Sequence, residues 1–255
     1  MSLSANFQRH LDAEMVLNDW QRDEAHRLRY AVYCQERGYE DPANFPDGME
    51  RDEFDGNAVQ ALVRHRSSDQ VAGVVRLVLP DHANPENPLP IELYCGDTID
   101  HAVLDKFQFS RSRIAEVSRF AVSNRFINGS GAGNTPAADD PSRYFPHISL
   151  GLIAMLFVAS AHHQLTHWYA VMEPTLSRLL SRSGIDFTPI GPVTNYHGRR
   201  QPMITSINDL LVNIYHKRHD FFNLIDDLGG IPANFEADMQ ARDLVREDAR
   251  LSKLG

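Results

Sequence analysis

The chain has 255 residues, 42% hydrophobic and 23% charged, with 15 Gly and 14 Pro. That is enough for one large domain or two small ones with a real core, and it excludes disorder, fibres and repeat arrays. The 25 Lys+Arg against 34 Asp+Glu give a net charge of −9, which argues against a general nucleic-acid binder. The two cysteines, Cys34 and Cys95, make no disulfide scaffold and no structural zinc site without histidine help.

Met1–Arg22 mixes charged with scattered apolar residues and lacks the apolar centre of a secretory signal. Residues 11 to 37 carry Leu11, Met15, Val16, Leu28, Val32 and Tyr33 near helical spacing, which predicts one or two amphipathic helices. The segment Asp41–Gly48 breaks the pattern as a loop. Ala58–Arg64 and Val71–Leu79, separated by Ser67, Ser68 and Asp69, read as an antiparallel hairpin, followed by a Pro- and Asn-rich loop over Asp81–Pro90.

Ala115–Val122 alternates like a half-buried strand, and Asn128–Ser142 is nearly all turn-formers. An apolar helix is predicted over Ile148–His162. Its most apolar stretch, Leu150–Ser160, is roughly ten residues long, about half of a bilayer crossing. No membrane span is therefore expected, and a cytoplasmic location is the default. A strand at His167–Met172, a helix from Pro174 to a cap at Gly184, and strands at Ile185–Ile190 and Pro202–Ile207 follow. From Asp209 the chain reads as helical, with a charged tail over Asp238–Leu254. This order predicts a mixed α/β sheet flanked by helices, with residues 1–208 as the domain and 209–255 as a helical C-terminal extension.

Four charged clusters carry the chemistry. Arg29 and Tyr33 share a helix face, with Tyr39 beyond; alone they read as a surface arginine over a core tyrosine. Asp52 and Asp55 flank Phe54, as solvated loop acids do. Arg76 sits inside the apolar run Gly73–Leu79, where a charge needs a carboxylate partner or an anionic ligand. In Glu116-Val-Ser-Arg-Phe-Ala-Val122, strict alternation puts Glu116 and Ser118 on one face, and Val117, Arg119 and Ala121 on the other. His162, His163 and His167 lack acidic or thiol neighbours, so no metal is expected. Cys34 has no evident histidine partner that would make it a nucleophile.

Taken in order, Arg29-x3-Tyr33-x5-Tyr39, Asp52-x2-Asp55, Arg76-Leu77 and Glu116-x-Ser-Arg119-Phe120 resemble the acyl-homoserine-lactone autoinducer synthases and their relatives, the N-acyl amino acid synthases. The wording RYAVYCQERGYE, GVVRLVLP, EVSRFAVS and YHGRRQP is most similar to the exosortase (PEP-CTERM) system-associated acyltransferases, over roughly residues 25 to 205. The resemblance implies a GNAT-type fold with a V-shaped opening between two central strands. Lactone synthases usually carry Phe and Trp where this chain has Tyr33 and Tyr39, and they are shorter. Both departures favour an amino acid or other amine over S-adenosylmethionine as acceptor.

Acyl transfer from a thioester needs no covalent nucleophile. It needs a base for the α-ammonium and donors for an oxyanion. The resemblance implies Glu116 as that base, Asp52 and Asp55 holding the ammonium, and Arg29 or Arg119 pairing the acceptor carboxylate. Tyr33, Tyr39, Arg76, Ser118 and Phe120 complete the expected substrate site, and backbone N–H groups along the splayed strand meet the thioester oxygen. Val122, Arg125, Gly129 and Gly131 resemble the loop that holds the donor phosphopantetheine.

The donor is acyl-ACP or acyl-CoA, with no tightly bound cofactor expected. An acidic acyl carrier protein as partner would need a basic face, for which Arg111, Arg113, Arg125, Arg143, Arg199-Arg200 and Lys217-Arg218 are the candidates. Ile148–Ala159 with Trp168, Tyr169 and Met172 are candidates for an acyl tunnel, with a plain core the expected role of most of them. The leading expectation is an N-acyltransferase acting on an amino acid-like amine. A lactone synthase using S-adenosylmethionine and a non-catalytic carrier-protein-binding module are the alternatives.

Overall fold

The computed structural model describes residues 2–128, 144–195, 198–235 and 239. Gly129, Gly131, Arg143 and the charged tail from Asp238 that the sequence singles out lie outside them, Met239 excepted. In chain order, α1 (Leu3–His10), β1 (Leu11–Met15) and α2 (Asp19–Tyr30) open the fold, and α2 runs on as a π-helical stretch over Ala31–Glu36. The hairpin β2 (Ala58–His65) and β3 (Gln70–Val78) follows, then α3 (Pro90–Cys95), α4 (His101–Leu104), β4 (Ile114–Val122) and α5 (Asn124–Asn128). The second half is α6 (Phe145–His162), β5 (His167–Met172), α7 (Pro174–Ser181), β6 (Thr188–Pro189), β7 (Thr194–Asn195), β8 (Arg199–Ser206), α8 (Ile207–Lys217) and α9 (His219–Asp227).

The strands order as β1-β2-β3-β4-β5-β8-β6, with β7 also pairing β8. Every pairing is antiparallel except β4 with β5. This is the mixed α/β GNAT-like sheet that the resemblance implied. The hairpin and β5 fall where the strand-like runs predicted them, and β4 where alternation did. β1 does not: Leu11–Met15 is made of helix formers, and pairing with β2 overrides that preference. Two further departures are α3 and α4, which occupy a stretch without helical periodicity, and the strand expected over Ile185–Ile190, which shrinks to Thr188–Pro189.

α6 runs 18 residues, longer than its apolar stretch predicted, and it is long and apolar enough to cross a bilayer. Its side chains Ile148, Leu152, Ala154 and Phe157 are nevertheless buried against the sheet, so it is the central core helix. Gly151 lets it approach closely, because a Cβ there would lie 2.4 Å from Phe7 Cε2. Leu210, Ile214, Phe221, Phe222 and Ile225 of α8 and α9 join the same core. The other face of the sheet is covered by α2, through Ala25, Leu28 and Val32, and by α3, through Ile91.

Two irregularities shape the sheet centre. Between Val74↔Ala121 and Arg76↔Ser118, β4 has two residues, Arg119 and Phe120, opposite the single Val75. Arg119 takes φ +49° there. This β-bulge inverts the side-chain parity of everything beyond it. The expected placement of Arg119 and Ala121 opposite Glu116 is therefore corrected: Arg119 reaches Glu50, and Ala121 packs with α2, both on the Glu116 side. The second irregularity is that β4 and β5 pair only from Ile114↔His167 to Val117↔Ala170. Beyond that point β4 stays with β3 and β5 stays with β8, so the sheet opens into a V.

Candidate active site

A cleft of about 1190 Å³ passes through this opening. On the α2 side it is lined by Tyr33, Tyr39, Glu50, Arg76, Glu116 and Arg119. On the α6 side Ile153, Leu156, Trp168, Ala170, Met172 and Leu180 make an apolar arm. Of the acyl-tunnel candidates, Leu150, Ile153, Leu156, Trp168 and Met172 line the cleft, whereas Ile148, Leu152, Ala154 and Phe157 belong to the core and Tyr169 faces the opposite layer, packed with Ile91, Ile114 and Ile204.

On the α2 side three arginines and three acids interlock. Arg29 is fully buried, with Nε 2.5 Å from Glu50 Oε2 and its two Nη atoms 2.6 and 2.9 Å from Asp55. Arg76 forks onto Asp52 at 2.5 and 3.0 Å, reaches Asp55 at 3.0 Å, and donates through Nε to Ser118 Oγ at 3.0 Å. Arg119 donates to Glu50 Oε1 and to Asp52 Oδ2, each at 3.0 Å, with Glu40 at 3.5 Å.

The local sequence prepares this cluster. Asp52 caps the short turn Glu53–Asn57, and Asp55 accepts from the Asp52 N–H, so the turn itself orients both carboxylates. Burial opposes their ionisation. The arginines outweigh it, and Glu50, Asp52 and Asp55 all lie below the ordinary carboxylate range.

The carboxylate partner demanded for Arg76 is thus Asp52. Asp52, Asp55, Arg29 and Arg119, expected to hold the acceptor, pair in this structure with one another, with Arg76 and with Glu50, as buried charges must. Glu50 was missed from sequence. The one available signal was its position two residues before Asp52 in an acid-rich stretch.

Glu116 stands apart. It is buried, lines the cleft, and forms no ion pair among the described residues. Its Oε2 accepts a 2.6 Å hydrogen bond from the Ile91 N–H at the start of α3. Burial pushes its pKa up to about 8, against the smaller opposing pulls of that N–H and of Arg76.

Tyr33 and Tyr39 meet at 6.2 Å between ring centroids. Arg119 lies over Tyr33 at 5.4 Å and Arg200 over Tyr39 at 5.2 Å. The Tyr33 hydroxyl donates to the Phe120 carbonyl in the bulge at 3.2 Å. Phe120 and Val122 line the cleft, whereas Arg125 is exposed and donates to Gln70 at 2.5 Å, so the structure does not bring it to the site.

Three of the basic-face candidates are held by acids. Arg111 is bidentate on Glu92, Lys217 pairs with Asp186, and Arg218 is bidentate on Asp220. His167 packs against Phe107 and Phe109 on β5, away from His162 and His163.

Residues 28–134 match the acetyltransferase (GNAT) domain family. No curated protein matches the chain. Among solved structures, TofI in a ternary complex with an inhibitor and MTA is 18% identical, with a TM-score of 0.57, covering 80% of this chain and 96% of TofI. The CoA-dependent acyl-homoserine lactone synthase BjaI, with SAM and isopentyl-CoA, is 19% identical, with a TM-score of 0.54, covering 88% and 90%. FeeM, an N-acyl amino acid synthase from uncultured soil microbes, is 15% identical, with a TM-score of 0.51, covering 80% and 93%. The chain therefore has a GNAT-like fold, and the segment that matches the acetyltransferase domain contains the arginine–carboxylate lattice, the bulge and Glu116.

Proposed function

We propose that this acyltransferase moves a fatty acyl group from an acyl carrier protein or coenzyme A thioester to the primary amine of an amino acid-like acceptor. The observation that carries the reading is Glu116, a buried carboxyl without an ion pair, placed where the β4–β5 pairing ends and the polar and apolar halves of the cleft meet. In this reading the acyl chain occupies the arm along Ile153, Leu156 and Met172, and the thioester carbonyl sits in the V. The amine approaches from the side of Tyr33 and Tyr39.

A base with a pKa near that of an aliphatic α-ammonium takes its proton at little thermodynamic cost. The freed amine attacks the thioester carbon, backbone N–H groups of the splayed β4 stabilise the oxyanion, and as the C–S bond breaks the thiolate takes up the second proton that the nitrogen sheds in becoming an amide. Arg29, Arg76 and Arg119 with Glu50, Asp52 and Asp55 hold the bulge and the Tyr33 ring in place. Val122, Gly129 and Gly131 are assigned to the donor pantetheine. Residues 1–208 form the acyltransferase domain in this reading, and 209–255 are an extension of it. The exosortase-associated branch, the carrier-protein partner and a cytoplasmic location belong to the same reading.

The rival within the fold is a lactone synthase, favoured by the SAM and MTA named with BjaI and TofI. Against it, Tyr33 and Tyr39 each already give a ring face to a guanidinium, which leaves less aromatic surface for a sulfonium. The test follows thiol release from palmitoyl carrier protein and from palmitoyl-CoA, with pooled amino acids or with S-adenosylmethionine. Release driven by amino acids supports the proposal. Release driven by S-adenosylmethionine, with methylthioadenosine formed, establishes the rival. Carrier-protein binding without release establishes a binding module.

A further inference from the structure

We propose that Arg200 is the anion subsite of the cleft and holds the carboxylate of the amine acceptor; the assignment to the acceptor rests on the function proposed above. Arg200 is the second residue of β8 and lines the cleft. Its guanidinium lies 5.2 Å from the Tyr39 ring centroid. Its Nε is buried and has no hydrogen-bond partner among the described residues.

Among the described residues, no carboxylate forms an ion pair with Arg200. That separates it from Arg51, Arg76, Arg119 and Arg218, which also line the cleft and are each held by an acid, while its buried Nε separates it from Arg37 and Arg182, which line the cleft as exposed side chains. The acids of the α2 side are already engaged with Arg29, Arg76 and Arg119, and fixed by the turn at Asp52, so they do not swing onto Arg200.

A buried guanidinium N–H without an acceptor loses its hydration for nothing in return, so a ligand that supplies the acceptor gains that term on binding. A guanidinium stacked on an aromatic ring keeps its in-plane edges open, and those edges match a carboxylate bidentately. Phosphate shares this chemistry and could come from the donor. The place favours the acceptor: Tyr39 contacts Tyr33, and Tyr33 bonds to the bulge on the Glu116 side of the opening.

The test compares wild type with Arg200→Gln and Arg200→Lys, each verified as folded by circular dichroism. Calorimetry measures binding of N-octanoyl-L-phenylalanine, of its primary carboxamide, and of octanoyl-CoA. Kinetics with octanoyl-CoA compare L-phenylalanine with phenethylamine. Wild type should bind the carboxylate at least about tenfold more tightly than the amide, and Arg200→Gln should abolish that preference. KM for L-phenylalanine should rise about tenfold or more with kcat little changed, while phenethylamine kinetics stay the same. Arg200→Lys should fall between.

Equal binding of carboxylate and amide by wild type overturns the proposal, as does an equal loss of both in Arg200→Gln. Weakened octanoyl-CoA binding with the carboxylate preference intact reassigns Arg200 to the donor phosphate and overturns the acceptor assignment. If wild type acylates no amine, the proposed function fails on its own, and the binding comparison still decides the role of Arg200.

Discussion

Glu116 Oε2 lies 2.6 Å from the backbone nitrogen of Ile91, and that N–H is the one hydrogen-bond partner of this buried carboxylate among the described residues. A single neutral donor only partly offsets the loss of water, so the group keeps a raised pKa of about 8. Glu50, Asp52 and Asp55 on the same side of the sheet are buried as well, but meet arginines and move the opposite way.

If Glu116 is the base, its ionised form is the active one. The value of kcat/KM should then rise with pH, about tenfold per unit, and level off above about 8. Glu116→Gln should lose at least about tenfold in kcat at pH 8.5, leave acyl-CoA binding intact and flatten that limb of the profile. An unchanged profile in Glu116→Gln would remove it as the base.

The lattice makes a stability prediction. Arg76→Met removes one cation, leaving Asp52 with Arg119 and Asp55 with Arg29 as their remaining arginine partners in a largely buried site. Breaking a buried pair from one side costs on the order of 3–5 kcal/mol, which urea denaturation at pH 7 should register. Arg125→Ala, on an exposed side chain, should stay within about 0.5 kcal/mol.

Stability should respond to pH in two opposite senses. Asp52, Asp55 and Glu50 are depressed in the fold, so their contribution is complete above the unfolded carboxylate range and is lost as pH falls below about 4. Glu116 is raised, so its ionisation favours the unfolded chain progressively from about pH 4.5 up to about 8. Melting scans should show an acid-side fall in Tm that Arg76→Met reduces. The decline toward pH 8 should be smaller in Glu116→Gln.

Much of this arrangement was legible in the sequence, for identifiable reasons. Val71–Leu79 and His167–Met172 are β-rich runs whose pattern matches the strands they form. The lone charge of Arg76 in an apolar strand demanded a partner, and Asp52 is that partner. The face of Arg119 was not legible, since a one-residue bulge leaves no trace in an alternating pattern yet reverses its parity. Which acid meets which arginine was equally hidden, because Arg29 and Glu50 are joined by packing across the fold and not by local spacing. Arg200 carried a faint signal in the Gly198-Arg-Arg200 run, readable only once its neighbours were seen to be paired.

The apolar arm should set acyl-chain preference. Met172 lines it just past the point where β4 and β5 part. Met172→Trp fills volume there, and should lower kcat/KM for palmitoyl donors by about tenfold or more while leaving butyryl donors within about threefold. An equal loss on both donors would place the acyl chain elsewhere.

The most direct test of acyl transfer to an amine is intact-mass analysis of products at pH 8.5. Wild type and Glu116→Gln are incubated with palmitoyl carrier protein, the standard amino acids and S-adenosylmethionine. We predict an N-palmitoyl amino acid from wild type, at least about tenfold less from Glu116→Gln, and no methylthioadenosine. A palmitoyl lactone with methylthioadenosine, or no acylated amine at all, would contradict the account.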